Sequence, residues 1–374
     1  MYHNQGQTDE ILNRFRFRDR DIADTIVNRL SASDLDLVFM HVCGTHQDTL
    51  VRYGIDTLLQ GCSVEIRQGP GCPVCVTTPM EIVEGVRLAR EGITVASFGD
   101  MVRVPSPDGS LLDARSDGHD VRIVYSVADA VRAAKVSGRD VVFMAVGFET
   151  TAPGTAIEIL NGPPENFSIL NCHRYVPPAV YALLRMGEIR LDGLIEPGHV
   201  STVIGVRPYE PITRAFDLPQ VVAGFEPLDL LMAVYMLVKQ VERGEARVEN
   251  EYVRSVRYEG NLKALGLLDR VFRPEDREWR GFGMIPNSGM ALRKEFRAYD
   301  ARERYDHLLE GLEAESDDEA RGCRCGEVLR GVMYPRECPL FARACRPDNP
   351  IGPCMVSAEG SCNIEFTHRN IRLS

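Results

Sequence analysis

The amino-acid sequence predicts an α/β protein with two parallel-sheet domains, helices on both faces of each sheet, and a cysteine-rich C-terminal region. Apolar runs of strand length alternate with helical stretches over roughly two hundred residues, which is typical of parallel sheets. Polar motifs follow these runs directly, at the edge where open α/β sheets bind ligands. Finally, six cysteines lie within residues 323–362, where metal ligation can replace apolar burial as the stabilising force.

Six apolar runs are predicted to be strands: 37–42, 94–98, 141–146, 168–171, 191–195 and 220–223. Helical spacing of apolar residues predicts helices at 21–30, 80–90, 127–136, 180–186 and 228–241. We therefore expect a flexible tail at 1–12, a first α/β domain at 13–125, a second at 126–265, and a C-terminal cysteine-rich domain at 266–374.

Composition excludes several classes of protein. The net charge of −11 repels phosphate backbones, so nucleic acid is not expected as a partner. No apolar run is long enough to span a bilayer, and the polar N-terminus lacks the apolar core of a signal peptide. We therefore expect a cytoplasmic protein without membrane association. Structural disulfides are rare in that compartment, so eleven cysteines indicate metal, iron–sulfur or thiol redox chemistry.

Two cysteine motifs lie in the first predicted domain. Cys43 ends the first predicted strand and His46 follows it closely, so its thiolate is a candidate nucleophile or metal ligand. A buried, inert cysteine beside an ordinary turn explains the same residues. Cys72 and Cys75 form a Cys-x-x-Cys pair, spaced for a disulfide or for two ligands to one metal. A structural zinc site is weakly supported because no second Cys-x-x-Cys pair stands at zinc-finger spacing.

The C-terminal cysteines suit an iron–sulfur cluster or zinc, since both are bound by soft thiolates. Four thiolates complete a cubane cluster, and the two left over fit a cluster coupled to a nearby dithiol. Spacing alone does not choose the ligands, because Cys323 and Cys325 lean to the same side of an extended segment. The set comprises Cys323, Cys325, Cys338, Cys345, Cys354 and Cys362.

Polar residues after the strands are further candidates for proton handling or for polarising a small ligand. Each of them is individually more often a cap or turn residue. They are Asp100, Glu149, Thr150, Thr151, His173, His199, Glu226 and Asn287.

Taken together, the motifs resemble those of the HypD family in order and spacing, over nearly the whole chain. The chain departs from the family pattern at His41, where an acidic residue is common, and at the pair Gln47-Asp48. The matching strings are Cys43-Gly44-Thr45-His46, residues 69–75 (GPGCPVC), 147–153 (GFETTAP), 197–200 (PGHV), 325–331 (CGEVLRG) and 352–362 (GPCMVSAEGSC).

This resemblance implies a maturation scaffold for [NiFe] hydrogenases. Family members hold an iron together with a small partner, HypC, and assemble its Fe(CN)2CO group with cyanide received from HypE. HypC then links them to the hydrogenase large subunit. Carried over to this chain, Cys43 is the iron ligand, and Cys72 and Cys75 supply thiol redox chemistry. Glu149 and His199 are expected near the Cys43 thiol, shaping the small-ligand pocket or relaying protons, and His46 is a further candidate catalytic residue.

The resemblance also implies that the C-terminal domain carries a [4Fe–4S] cluster. Similarity to the family and to ferredoxin–thioredoxin reductases assigns Cys323, Cys338, Cys345 and Cys362 as cluster ligands, with Cys325 and Cys354 as an adjacent redox pair. Two alternatives stay open at this point. One is a cluster-linked thiol–disulfide oxidoreductase acting on protein disulfides, and the other is a structural zinc protein.

Overall fold

The structure, a computed structural model, describes residues 19–313 and 322–369. Two parallel sheets carry helices on both faces and are followed by an antiparallel hairpin and the cysteine-rich region. The predicted α/β class is thus confirmed. The tail expected at 1–12 lies outside the described residues. No helix in the described ranges combines the length and apolar composition needed to cross a bilayer.

All six predicted strands are present in the two parallel sheets, which also contain three further short strands at 64–68, 121–123 and 248–250. The first sheet has the order β2-β1-β7-β8-β9 and the second β4-β3-β5-β6, in the numbering below. Every pairing in the two sheets is parallel. The strands are β1 (Leu37–His41), β2 (Val64–Gln68), β3 (Thr94–Ser97), β4 (Val121–Ile123), β5 (Val141–Gly147), β6 (Phe167–His173), β7 (Gly193–Pro197), β8 (Gln220–Ala223) and β9 (Val248–Asn250).

The sheets do not follow the expected division between residues 125 and 126. The chain starts the first sheet with β1 and β2, builds the whole second sheet, and then returns with β7 to pair beside β1. Each sheet therefore contains strands from both sides of that point. The return places Ile195 opposite His41, so the motifs after β1 and β7 end at the same edge.

The helices begin where the sequence offers capping residues. Thr78 and Glu81 form a reciprocal capping box, and Asp19 and Ser126 accept hydrogen bonds from free N–H groups of the first turns they precede. The α-helices are Arg20–Ser31, Gly44–Arg52, Ile55–Gln60, Pro73–Val76, Pro79–Arg90, Gly99–Val102, Leu111–Ser116, Val127–Ser137, Ala152–Leu160, Val176–Met186, Gly198–Ile204, Glu210–Phe216, Pro227–Arg243, Leu262–Val271, Ala301–Arg304, Asp306–Leu309, Cys325–Leu329, Pro353–Val356 and Ser361–His368.

An antiparallel hairpin, which the sequence patterns did not predict, opens the segment expected to be the C-terminal domain. Its strands are β10 (Phe272–Trp279) and β11 (Gly283–Leu292). Phe272, Met290 and Leu292 pack into the same apolar cluster as the core of the second sheet. The cysteine-rich region shares the largest apolar cluster with Cys72 and Cys75. It therefore packs directly against the region where the two sheets meet.

Candidate functional site around Cys43 and the cysteine-rich region

The Cys43 and Cys72–Cys75 motifs lie side by side because they follow two paired strands, β1 and β2. The Gly44 N–H donates to the Gly71 carbonyl at 3.2 Å, and the Gly69 N–H donates to the His41 carbonyl at 2.8 Å. A methyl group added at Gly71 would overlap the Cys43 backbone, so only glycine allows this approach. Cys72 and Cys75 are joined by a disulfide.

The C-terminal loop 357–360 packs against the Cys43 motif at Gly44. A Cβ atom at Gly44 would lie 2.5 Å from the Glu359 Cβ. Asp100 holds this loop, because its carboxylate accepts hydrogen bonds from the Ala358 N–H at 2.9 Å and the Ser357 hydroxyl at 3.3 Å. Burial raises the pKa of the Cys43 thiol to about 11; a hydrogen bond from the His46 backbone opposes this, and the Glu359 carboxylate adds to it.

Two imidazoles pack against one aromatic ring beside the Cys43 motif. His46 is fully buried beside Phe225, and the His199 ring stacks on Phe225 with centroids 3.8 Å apart. Burial lowers the pKa of His46 to about 3 and also lowers that of His199. The chain departs from the family pattern at His41 and Gln47, and these two side chains are hydrogen bonded to each other, with His41 Nε2 2.7 Å from Gln47 Oε1.

Two buried carboxyl groups lie near one buried tyrosine. Glu149 accepts one hydrogen bond, from the Val176 N–H at 2.9 Å, while neither oxygen of the fully buried Glu196 has a hydrogen-bond partner. Burial raises the pKa of both carboxyls to about 8. The pKa of Tyr209 is raised by burial and then by Glu196, with smaller contributions from Glu149 and Cys43. Tyr209 thus lies close enough to Glu149, Glu196 and Cys43 for the ionised form of each to raise its pKa.

These carboxyls give a testable dependence of stability on pH. A raised carboxyl pKa contributes stability that is present below the unfolded value of 4.5 and is lost as the pH rises through about 8. We expect Glu196→Gln to remove the part of this loss that Glu196 causes. Between pH 5 and 8, the decrease of the unfolding free energy should then be shallower than in the wild type, by up to about 1.4 kcal/mol per pH unit. Urea unfolding across that range measures the slopes. The exposed control Glu303→Gln should run parallel to the wild type, and parallel curves for Glu196→Gln would contradict the prediction.

Sequence reasoning missed Glu196, Tyr209 and Glu359 as site residues. Glu196 could have been identified, because it directly follows the apolar run 191–195. Other predicted candidates have local roles: His173 bonds Thr155 at 3.0 Å, and Glu226 begins helix Pro227–Arg243. Asn287 lies in the hairpin, where its N–H donates to Asp276.

All six C-terminal cysteines line one small cavity, together with apolar side chains such as Leu340, Phe341 and Met355. Five of the thiols are buried and Cys338 is half-buried. Cys354 is hydrogen bonded to both Cys325 and Cys362. This set of soft donors with apolar walls fits an iron–sulfur cluster. Within residues 19–313 and 322–369, no group of three or more His, Cys, Asp or Glu side chains is placed to hold a single metal ion.

The cysteine-rich region also contacts the disulfide motif. Helices Cys325–Leu329 and Pro353–Val356 both contact helix Pro73–Val76, which begins directly after Cys72 and includes Cys75. The structure therefore brings the thiols of the C-terminal region, the Cys72–Cys75 disulfide and Cys43 into one continuous region.

The chain matches a known protein family over almost its whole length. The family model for HypD, described as "Hydrogenase formation hypA family", matches residues 20–369. The chain is 44% identical to the hydrogenase maturation factor HypD of Azotobacter vinelandii, over 92% of this chain and 94% of that protein. It is 42% identical to the protein of the same name from Cupriavidus necator, over 94% of this chain and 96% of that protein. The chain belongs to the HypD family.

Proposed function

We propose that this protein acts in hydrogenase maturation, as a scaffold that works with HypC to assemble the Fe(CN)2CO group. The observation that carries the proposal is the position of the Cys43 thiol. The residue is buried. The loop before the Cys72–Cys75 disulfide contacts its backbone through Gly71, and the loop of Glu359 contacts the adjacent Gly44. Family membership supplies the pathway, because relatives of this chain are named hydrogenase maturation factors.

Iron is the cargo in this proposal, and Cys43 is its ligand. Low-valent iron that carries cyanide and carbonyl is well matched by a soft thiolate. Burial disfavours the Cys43 thiolate in the free protein, since it raises the thiol pKa to about 11. Binding of a cation would reverse that preference, so the thiolate forms when iron arrives. Neutral His46 and His199, with protonated Glu149, would shape the pocket for small ligands and offer hydrogen bonds.

Cys72 and Cys75 would supply the electrons for cyanide transfer from HypE. Breaking the S–CN bond of a thiocyanate takes up two electrons and releases a thiolate and cyanide, which the iron binds. Oxidation of the Cys72/Cys75 dithiol to its disulfide supplies two electrons and releases two protons. One proton neutralises the thiolate and the other leaves the site. A [4Fe–4S] cluster bound by four of the six C-terminal cysteines would supply single electrons to restore the dithiol.

The partners follow from the same proposal. HypC would share the iron and later deliver it to the hydrogenase large subunit, and HypE would dock only transiently. A cytoplasmic location suits this pathway and the many thiols. The alternative of a general protein-disulfide reductase fits less well, because Cys72 is only 3% exposed and Cys75 is fully buried. A protein disulfide must contact an attacking sulfur to exchange with it.

Anaerobic co-purification of the full-length chain with HypC tests the proposal. We expect a complex that contains iron in addition to the cluster and shows infrared bands of bound cyanide and carbonyl. The Cys43→Ala variant should bind HypC but lack these bands. A wild-type complex without diatomic ligands, or a chain that rapidly reduces generic protein disulfides, would contradict the assignment. Zinc without iron or sulfide would support a structural zinc protein instead.

A further inference from the structure

The Cys72–Cys75 disulfide is shielded from solvent, with exposures of 3% and 0% for its two residues. A reductant must contact one of the sulfurs to exchange with the disulfide. Electrons therefore reach this pair through the protein. Helices Cys325–Leu329 and Pro353–Val356, which contact helix Pro73–Val76, carry two candidate electron donors, Cys325 and Cys354. The rate of reduction then depends on how these helices are held against each other.

The tip of the β10–β11 hairpin binds the end of helix Pro73–Val76. The Arg280 N–H donates to the Val76 carbonyl at 3.0 Å, and the Arg280 side-chain Nε–H donates to the Thr77 carbonyl at 2.9 Å. These carbonyls directly follow Cys75 in the chain. Arg280 is itself buried, so both bonds are protected from competing water.

The next residue of the tip touches the helix of Cys325. Gly281 has φ +80°, and a Cβ atom there would lie 2.5 Å from the Gly326 Cα. Arg330, just beyond that helix, donates a hydrogen bond to the Gly281 carbonyl. Successive residues of the tip therefore contact the two thiol-bearing helices by backbone groups.

The hairpin is well fixed next to this tip. The Trp279 indole N–H donates to the Ser288 hydroxyl at 2.8 Å, and the ring stacks on Phe148 with centroids 5.8 Å apart. Trp279 is fully buried. The hairpin therefore fixes the position of the tip independently of helices Pro73–Val76 and Cys325–Leu329.

We propose that Arg280 and Gly281 form a positioning element that sets the rate at which the C-terminal cysteines reduce the Cys72–Cys75 disulfide. In that exchange the Cys72–Cys75 bond breaks while a bond forms between Cys325 and Cys354, so two electrons and two protons pass between the pairs. The inference rests on the proposed function only for the redox role of these thiols. Hydrogenase maturation is not needed to measure it.

Two glycine variants of the tip provide a matched test. Gly281→Ala and Gly283→Ala both place a side chain at positive φ, +80° and +71°, but nothing lies within 4 Å of a Cβ atom at Gly283. The full-length protein, purified anaerobically, is reduced with dithionite, quenched with acid at intervals, and alkylated with iodoacetamide after unfolding in denaturant. Mass spectrometry then gives the alkylated fraction of Cys72 and Cys75. We expect reduction to slow about tenfold or more in Gly281→Ala only, because misplacement by about 1 Å can cost up to about 100-fold in rate.

Equilibrium measurements separate positioning from a change in driving force. Titration against dithiothreitol should give the same reduction potential for the wild type and Gly281→Ala, within the ~30 mV that corresponds to a tenfold change in equilibrium constant. If Gly281→Ala does not fold, Arg280→Met, which removes the bond to Thr77, should show the slower reduction, with exposed Arg273→Met as its control.

Equal reduction rates in the two glycine variants, or a slower rate explained by a shifted potential, would overturn the inference. Slow reduction with normal hydrogenase maturation would support positioning and contradict the proposed use of the dithiol. The two ideas therefore fail on different measurements.

Discussion

Replacing Cys43 by serine is expected to abolish hydrogenase maturation and iron loading while leaving the fold intact. A serine hydroxyl is a hard donor and does not replace a thiolate on low-valent iron. Mutation of a residue that hydrogen bonds a metal ligand typically lowers metal affinity or activity about 10–100-fold. Loss of the ligand itself should therefore lower iron loading and maturation about 100-fold or more. The measurements are hydrogenase activity in a strain that depends on this chain, and iron bound in the anaerobic HypC complex.

Cys62→Ser is the control, because this cysteine is similarly buried but lies in an apolar cluster that does not include Cys43. Its thiol is 3.1 Å from the Ser31 hydroxyl, so a serine finds a hydrogen-bond partner there. We expect near-normal maturation in this variant. Similar thermal unfolding of both variants would show that folding does not explain the difference, and equal loss of maturation in both would count against Cys43 as the ligand.

The strands of the two sheets were largely predictable because each carries its own apolar pattern. The run 220–223 matches its strand at both ends, and 141–146 is short by one residue. The partition of strands between sheets was not predictable, because local periodicity says nothing about pairing partners. Only the tertiary structure shows that β7 returns to pair with β1.

The candidate site was partly predictable for a similar reason. Cysteine spacing identifies thiol chemistry directly, so the Cys43, Cys72–Cys75 and C-terminal motifs were found and are contiguous in the structure. Glu196 and Tyr209 matter because of burial, which sequence does not show. The hairpin tip was missed because its contacts join residues more than forty apart.

Among the C-terminal cysteines, Cys323 and Cys325 are a close pair for comparison. Both are buried, at 7% and 3% exposure, and only Arg324 separates them. Alanine at either position should therefore affect folding similarly. Cys325 is hydrogen bonded to Cys354 and begins the helix that contacts helix Pro73–Val76, which suits a redox pair close to Cys72 and Cys75.

We therefore expect Cys323→Ala to lose the cluster, because a cubane bound by four thiolates is left with three. Iron and sulfide per chain should fall from about four each to near zero. Cys325→Ala should keep near-normal iron and sulfide, yet fail to pass electrons to the Cys72–Cys75 disulfide under dithionite. Iron and acid-labile sulfide analysis, with alkylation of Cys72 and Cys75, measures both effects. Cluster loss in Cys325→Ala with retention in Cys323→Ala would show that the two roles are reversed.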